Sequence, residues 1–196
     1  GTLLHRALAH LWGELGSHAG LVAIAPQALD AALGRAVDTA LADLARDRPD
    51  ALTRAFVAIE RERLQRLMLR LLDLERTRAP FRVVEREAPR AVIIAGLAVN
   101  ARVDRIDAFE DGTRLILDYK SGTALPSQWL GERPDDPQLP FYAVTDPGDV
   151  AAVAFALVNA GQVGFKGLAR AEGLLPGVEP LERSRTAARG LVDWPA

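Results

Sequence analysis

The chain contains no cysteine, which removes disulfides, thiolate zinc sites and iron-sulfur clusters. Lysine is almost missing as well: of 24 lysines and arginines only Lys120 and Lys166 are lysine, so ordinary cations here are arginines. Net charge is −2, which gives none of the broad basic surface that marks many nucleic-acid binders. The bias is local, with twelve arginines against eight acids between Arg46 and Arg90. No apolar run reaches membrane-span length, and the first residues lack the cationic start, apolar run and cleavage site of a secretion signal. The expectation is an intracellular, cytoplasmic chain with no membrane contact. G-x-x-x-x-G-K-[ST], H-E-x-x-H and G-x-S-x-G are all missing, so a nucleotide-driven motor, a zincin and an α/β-hydrolase are disfavoured. No internal repeat or low-complexity segment occurs.

What is present is a globular composition: 196 residues, 49% apolar and 26% charged, enough for one substantial core. Leu4, Leu8, Leu11 and Leu15 recur at helical spacing, which predicts a helix from Gly1 to Leu15 with His5 at the edge of the stripe. Residues 13–25 read as a loop, Pro26 opens a helix to about Arg46, and a third helix follows from about Ala51 to Arg78, its apolar stripe ending at Leu74. From Pro80 the period changes. Phe81–Glu87 and Ala91–Ile94 read as separate strands around Pro89, the second leading through Gly96 into a long strand with Asp104. Val150–Val158 reads as a buried strand, and 161–170 as an edge strand containing Lys166. The fold class is therefore α/β, with a mixed central sheet flanked by helices. The chain divides into a helical N-terminal portion (1–78), a sheet core (79–171) and an irregular tail (172–196) that includes Trp194.

The chemistry concentrates on a hairpin. Ala101–Asp107 and Leu115–Lys120 flank Glu110-Asp111-Gly112, a turn signal between β-forming runs. Side chains alternate along a strand, so Asp118 and Lys120 share one face while Leu117 and Tyr119 share the other. A two-residue loop would put Asp104 across from Tyr119 and leave the acids unrelated. A three-residue loop with Gly112 in the left-handed position would pair Phe109 with Thr113 and set Asp104 against Asp118; this register is the one expected. Facing carboxylates repel on a bare sheet, so the arrangement makes sense around a cation, and Mg²⁺ or Mn²⁺ suit such oxygen donors. Lys120 suits orienting or deprotonating a water, although an ordinary Asp118–Lys120 surface pair is the plain alternative. Beyond a loop containing Trp129, Asp136 reads as a helix N-cap with Pro137 at the first position. Gln138 and Tyr142 then fall on one face of that helix, placed to bond phosphate or base edges or to brace the sheet.

In this order, Asp104, then Asp118-Tyr119-Lys120, then Gln138-Leu-Pro-Phe-Tyr142 resembles the acid, D-x-K and Q-x-x-x-Y series of the PD-(D/E)XK nuclease superfamily in its RecB-like branch. It is most similar to the C-terminal nuclease domain of AddB-type and probable DNA repair helicase-nuclease proteins. No piece is specific alone; the ordered set is. The resemblance implies a restriction-endonuclease-like core and hydrolysis of DNA phosphodiesters, exonucleolytic, from DNA ends during repair. It implies Mg²⁺ or Mn²⁺ held by His5, Asp104, Asp118 and the Tyr119 backbone carbonyl, with Lys120 at the water and Gln138 and Tyr142 positioning the strand. His5 enters through the branch's G-x-x-x-H pattern, matched by Gly1 and His5, and Ala101 stands where a glycine is usual. Glu85, in the strand after Pro80-Phe81, matches a glutamate of related nucleases without an assigned role. The implied partners are DNA and a helicase domain or subunit of a longer parent protein. An idle DNA-binding or scaffolding domain of the same fold and a small-nucleotide phosphohydrolase are the rival readings.

Overall fold

The computed structural model describes residues 2–48, 53–94, 97–129 and 135–184, and for 90–94 and 97–101 the backbone alone. Gly1, Gly96 and Trp194, singled out above, lie outside the described residues.

Four helices precede the sheet. Helix α1 (Thr2–Leu15) buries the expected Leu4, Leu8, Leu11 and Leu15 together with Trp12, and that stripe packs on α3 (Pro26–Asp47) and the sheet. The expected loop at 13–25 is shorter than predicted. Gly16, at φ 68°, ends α1, and the Ser17 hydroxyl accepts the Gly20 N–H at 3.1 Å to cap a short helix α2 (His18–Ala23). Helix α4 (Arg54–Glu75) starts from the Thr53 cap, whose hydroxyl accepts the Phe56 N–H. Its last buried residue is Glu75, not the Leu74 of the sequence stripe, and this bears on the site below.

The sheet has five strands in the order β1 (Phe81–Ile94), β2 (Leu97–Phe109), β3 (Arg114–Lys120), β4 (Val150–Val158) and β5 (Val163–Ala169). All pairs are antiparallel except β3 with β4. This mixed sheet flanked by helices is the α/β architecture expected of a restriction-endonuclease-like core. The helical layer covers one face, against Leu115, Leu117, Ala154 and Phe165. Helix α5 (Gln138–Thr145), which makes the crossover between the parallel strands, covers the other with Trp129, against Ile116, Val153 and Phe155. Every residue of β4 is buried, as a strand covered on both faces requires.

Two expectations change. The runs on either side of Pro89 form one strand, because β1 lies at the sheet edge, where proline leaves no ladder partner unsatisfied. The segment after Glu172 is not structureless throughout: Leu175, Val178 and Leu181 are buried, Pro180 bridges Ala169, and a 3₁₀ turn covers Leu181–Arg183. Its apolar residues are spaced by glycine and proline, so no period reveals them.

Candidate active site

The β2–β3 hairpin takes the three-residue register. The Phe109 N–H donates to Thr113 O at 2.8 Å, Gly112 sits at φ 85°, and Arg105 faces Leu117. Continuing by one residue sets Asp104 against Asp118. The backbone ladder stops there, and the Asp104 carboxylate takes over: its Oδ2 accepts the Tyr119 N–H at 2.8 Å. On the other side of β2, the pairs Arg86 with Arg105 and Ala88 with Val103 leave Glu87 opposite Asp104. Glu87, Asp104 and Asp118 thus lie on one rung across three neighbouring strands.

His5 completes the group from α1, its Nδ1 3.2 Å from Asp104 Oδ1 and its ring edge-on to Tyr119 at 5.8 Å. His5, Glu87 and Asp104 offer one ligand atom each, all within 4.8 Å of one another. Glu87 was not singled out in the sequence; Glu85 was, and it stands 3.9 Å from Arg114, away from this group. Glu87 has φ 47°, a left-handed backbone that a non-glycine residue seldom adopts. Its carboxylate also pairs with Arg102 at 3.1 Å.

The electrostatics show crowding. Burial first, and then the charge of Asp104, push the Asp118 carboxyl up to about 6, with Lys120 offsetting only part. Burial pulls His5 down, but the bond to Asp104 and the nearby carboxylates outweigh it, and its pKa ends raised. Asp118 is 3% exposed, and its Oδ2 has no aligned hydrogen bond, although Lys120 Nζ stands 3.0 Å away. Lys120 is also 2.9 Å from Asp136 Oδ2 and lies over the Phe155 ring. Burial lowers its pKa, while Asp136 and Asp118 more than compensate and raise it.

Asp136 therefore has a different place from the one the sequence suggested. The helix starts one residue later, with Pro137 as its cap, and Asp136 reaches Gln138 N only at 3.4 Å while its other oxygen holds Lys120. Gln138 and Tyr142 do share a face, and both turn to β2. The Tyr142 hydroxyl donates to Arg102 O at 2.8 Å and accepts the Arg102 N–H at 3.0 Å and the Gln138 amide at 2.9 Å. They brace the strand two residues before Asp104. Tyr142 is 3% exposed, which keeps its hydroxyl in that brace.

Behind the rung is a charged cluster the sequence did not reveal. Arg105 bonds Asp107 through Nε at 2.6 Å and Glu75 through Nη1 at 2.8 Å. Arg78 joins Glu75 at 2.5 Å and Asp107 at 2.8 Å. The Tyr119 hydroxyl accepts from Arg105, and the two guanidiniums stack on Trp12 and Phe81. All four charges are buried and cancel in pairs. Burial opposes ionisation of Glu75, but Arg105 and Arg78 outweigh it and hold the carboxyl low.

The donor set suits a hard divalent cation: neighbouring carboxylate oxygens and one imidazole. Among the described residues no helix is long and apolar enough to cross a membrane. A search of curated proteins returns no match. The sequence does match the family model of the PD-(D/E)XK nuclease superfamily over residues 1–150, a span that holds the acid rung, Lys120, Gln138 and Tyr142. Members of that superfamily are usually metal-dependent nucleases, and this chain belongs to the PD-(D/E)XK nuclease superfamily.

Proposed function

We propose that this chain is a Mg²⁺- or Mn²⁺-dependent deoxyribonuclease of the RecB-like branch that degrades DNA from its ends during repair in the cytoplasm, alongside a helicase domain or subunit. The observation that carries the reading is the rung: three carboxylates on adjacent strands, with His5 beside them and Lys120 3.0 Å from the buried Asp118. A satisfied structural ion cluster has no such surplus of acceptors.

In this reading His5, Asp104, Asp118 and the Tyr119 carbonyl hold the cation. When bound, the ion supplies charge neutralisation at the scissile phosphate and a more acidic water. Asp104 keeps the hairpin closed at the site by accepting the Tyr119 N–H. Lys120, fixed between Asp118 and Asp136, carries its proton and orients a water or a phosphate oxygen by donating to it. Gln138 and Tyr142 serve the strand of substrate by fixing the β2 backbone at Arg102.

The test is cleavage of linear DNA with Mg²⁺ or Mn²⁺, beside Asp118→Ala and Lys120→Ala. Metal-dependent shortening of the DNA that both variants lose is the expected result. Wild-type protein that binds DNA without cutting it under either ion would instead place the chain among idle, scaffolding domains.

A further inference from the structure

Next to the rung is an open cleft of about 470 Å³ between α1, the end of α3 and the β1–β2 hairpin. Its charged lining is Arg6, Arg46, Arg86 and Arg102 with Asp43, Asp47 and Glu87, the last shared with the cation group. Three of these arginines have carboxylate partners: Arg6 has Asp47 at 2.5 Å, Arg46 has Asp43, and Arg102 has Glu87. Arg86 has none among the described residues. Its one hydrogen bond goes to Ala9 O at 3.0 Å, which uses one of five guanidinium donors. Its guanidinium lies over Gly13 of α1, where a side chain would have to displace it. Arg6 adds a buried Nη1 without a hydrogen-bond partner.

We propose that this cleft takes a backbone phosphate of the nucleic-acid strand, next to the one being cut, with Arg86 and Arg102 as its donors. The proposal rests on the nuclease reading above. Glu87 links the two sites: it either pairs with Arg102 or contributes its carboxylate to the cation beside His5 and Asp104. A bound cation therefore frees Arg102 for phosphate, and strand binding in the cleft is stronger with the divalent ion than without it. Fork-shaped guanidinium donors are matched to phosphate oxygens, and the cleft holds four of them against three carboxylates, beside the site.

The experiment is binding of a fluorescently labelled duplex with a single-stranded tail to the full chain, in Ca²⁺ and in EDTA, across a salt series. Arg86→Ala and Arg102→Ala are compared with Arg66→Ala, an exposed arginine of α4 paired with Glu62. Arg86→Ala is expected to weaken binding about tenfold and to reduce the slope of log K against log salt by about 1, the signature of one lost phosphate contact. Arg102→Ala is expected to do the same in Ca²⁺ and to have little effect in EDTA. Arg66→Ala should change neither quantity, and Arg86→Lys should recover most of the slope. A melting scan of Arg86→Ala separates loss of the contact from loss of fold, because unfolding would remove binding at all salts and leave no slope to compare. An unchanged slope for Arg86→Ala in a protein that still cleaves DNA would overturn the cleft and leave the nuclease reading standing. Wild-type protein that neither binds nor cleaves would overturn both. A deoxynucleoside monophosphate that displaces the duplex at equal phosphate concentration would overturn a strand as the occupant.

Discussion

Asp104 and Arg105 are neighbours on β2, yet the groups around them are built on opposite rules. Around Arg105, two guanidiniums and two carboxylates are fully buried, and each charge is met by bonds of 2.5–2.8 Å to its opposites. Around Asp104, three carboxylates share a rung beside His5; Lys120 pairs with Asp118 at 3.0 Å and Arg102 with Glu87 at 3.1 Å, while Asp104 has His5 at 3.2 Å. The first arrangement matches two positive charges with two negative ones, leaving only Arg78 Nε without a hydrogen bond, and fixes α4 to the sheet. The second sets three carboxylates side by side, the donor type that a divalent cation takes. A buried ion cluster with matched charges thus describes architecture, while one with a surplus of a single sign describes a site.

The sharpest way to break this contrast is to neutralise one residue on each side. Asp118→Asn should lower the rate of metal-dependent DNA cleavage by about a thousandfold or more, equivalent to ~4 kcal/mol of barrier, read in a single-turnover assay. Arg105→Ala should act on stability instead, costing about 3–5 kcal/mol in a denaturant titration, because Glu75 and Asp107 are left buried with one counter-charge between them. Should Arg105→Ala melt like the wild type, the quartet is not the structural half of the comparison.

A third prediction concerns pH and metal. The Asp118 carboxyl in the metal-free fold is raised from 3.8 to about 6, so between those values the native state binds more protons than the unfolded one. Stability then falls as pH rises through that window, and the penalty persists above it. Metal-free Asp118→Asn should accordingly be more stable than wild type at pH 8, by about 1–3 kcal/mol, and the gain should vanish below pH 4. A divalent ion should reverse the order: at a hundred times its Kd it stabilises the wild type by about 2.7 kcal/mol, and the asparagine variant by much less. The smallest effect belongs to the brace. Tyr142→Phe removes the hydroxyl from Arg102 and Gln138 and should cost about 1–2 kcal/mol, with weaker metal binding measured by calorimetry, since β2 is loosened two residues from Asp104.

Much of the rung was legible in the sequence. Glu110-Asp111-Gly112 signalled the turn, and counting from Gly112 brought Asp104 to Asp118; alternation then placed Lys120 correctly. Glu87 was missed because Pro89 suggested a strand break, whereas an edge strand tolerates it. Counting back from the pairing of Ile94 with Leu97 sets residue 87 against 104 in the same way. The quartet was hidden for another reason. Glu75 and Arg78 look like the polar close of a helix, and only the docking of α4 on β2 shows them to be interior. Asp136 was displaced by one residue, the usual margin for a helix start, but that residue decides whether the carboxylate caps a helix or holds Lys120.

The His5–Asp104 contact spans 99 positions of the chain, while the three acids of the rung come from strands consecutive in sequence. Short-range contacts form sooner than distant ones, since closing a long stretch of chain is entropically slow. On refolding, the carboxylates should therefore gather first and the imidazole arrive only when the helical layer docks. A late-appearing divalent-ion affinity, measured by stopped flow against hairpin formation, would be the kinetic trace of that order.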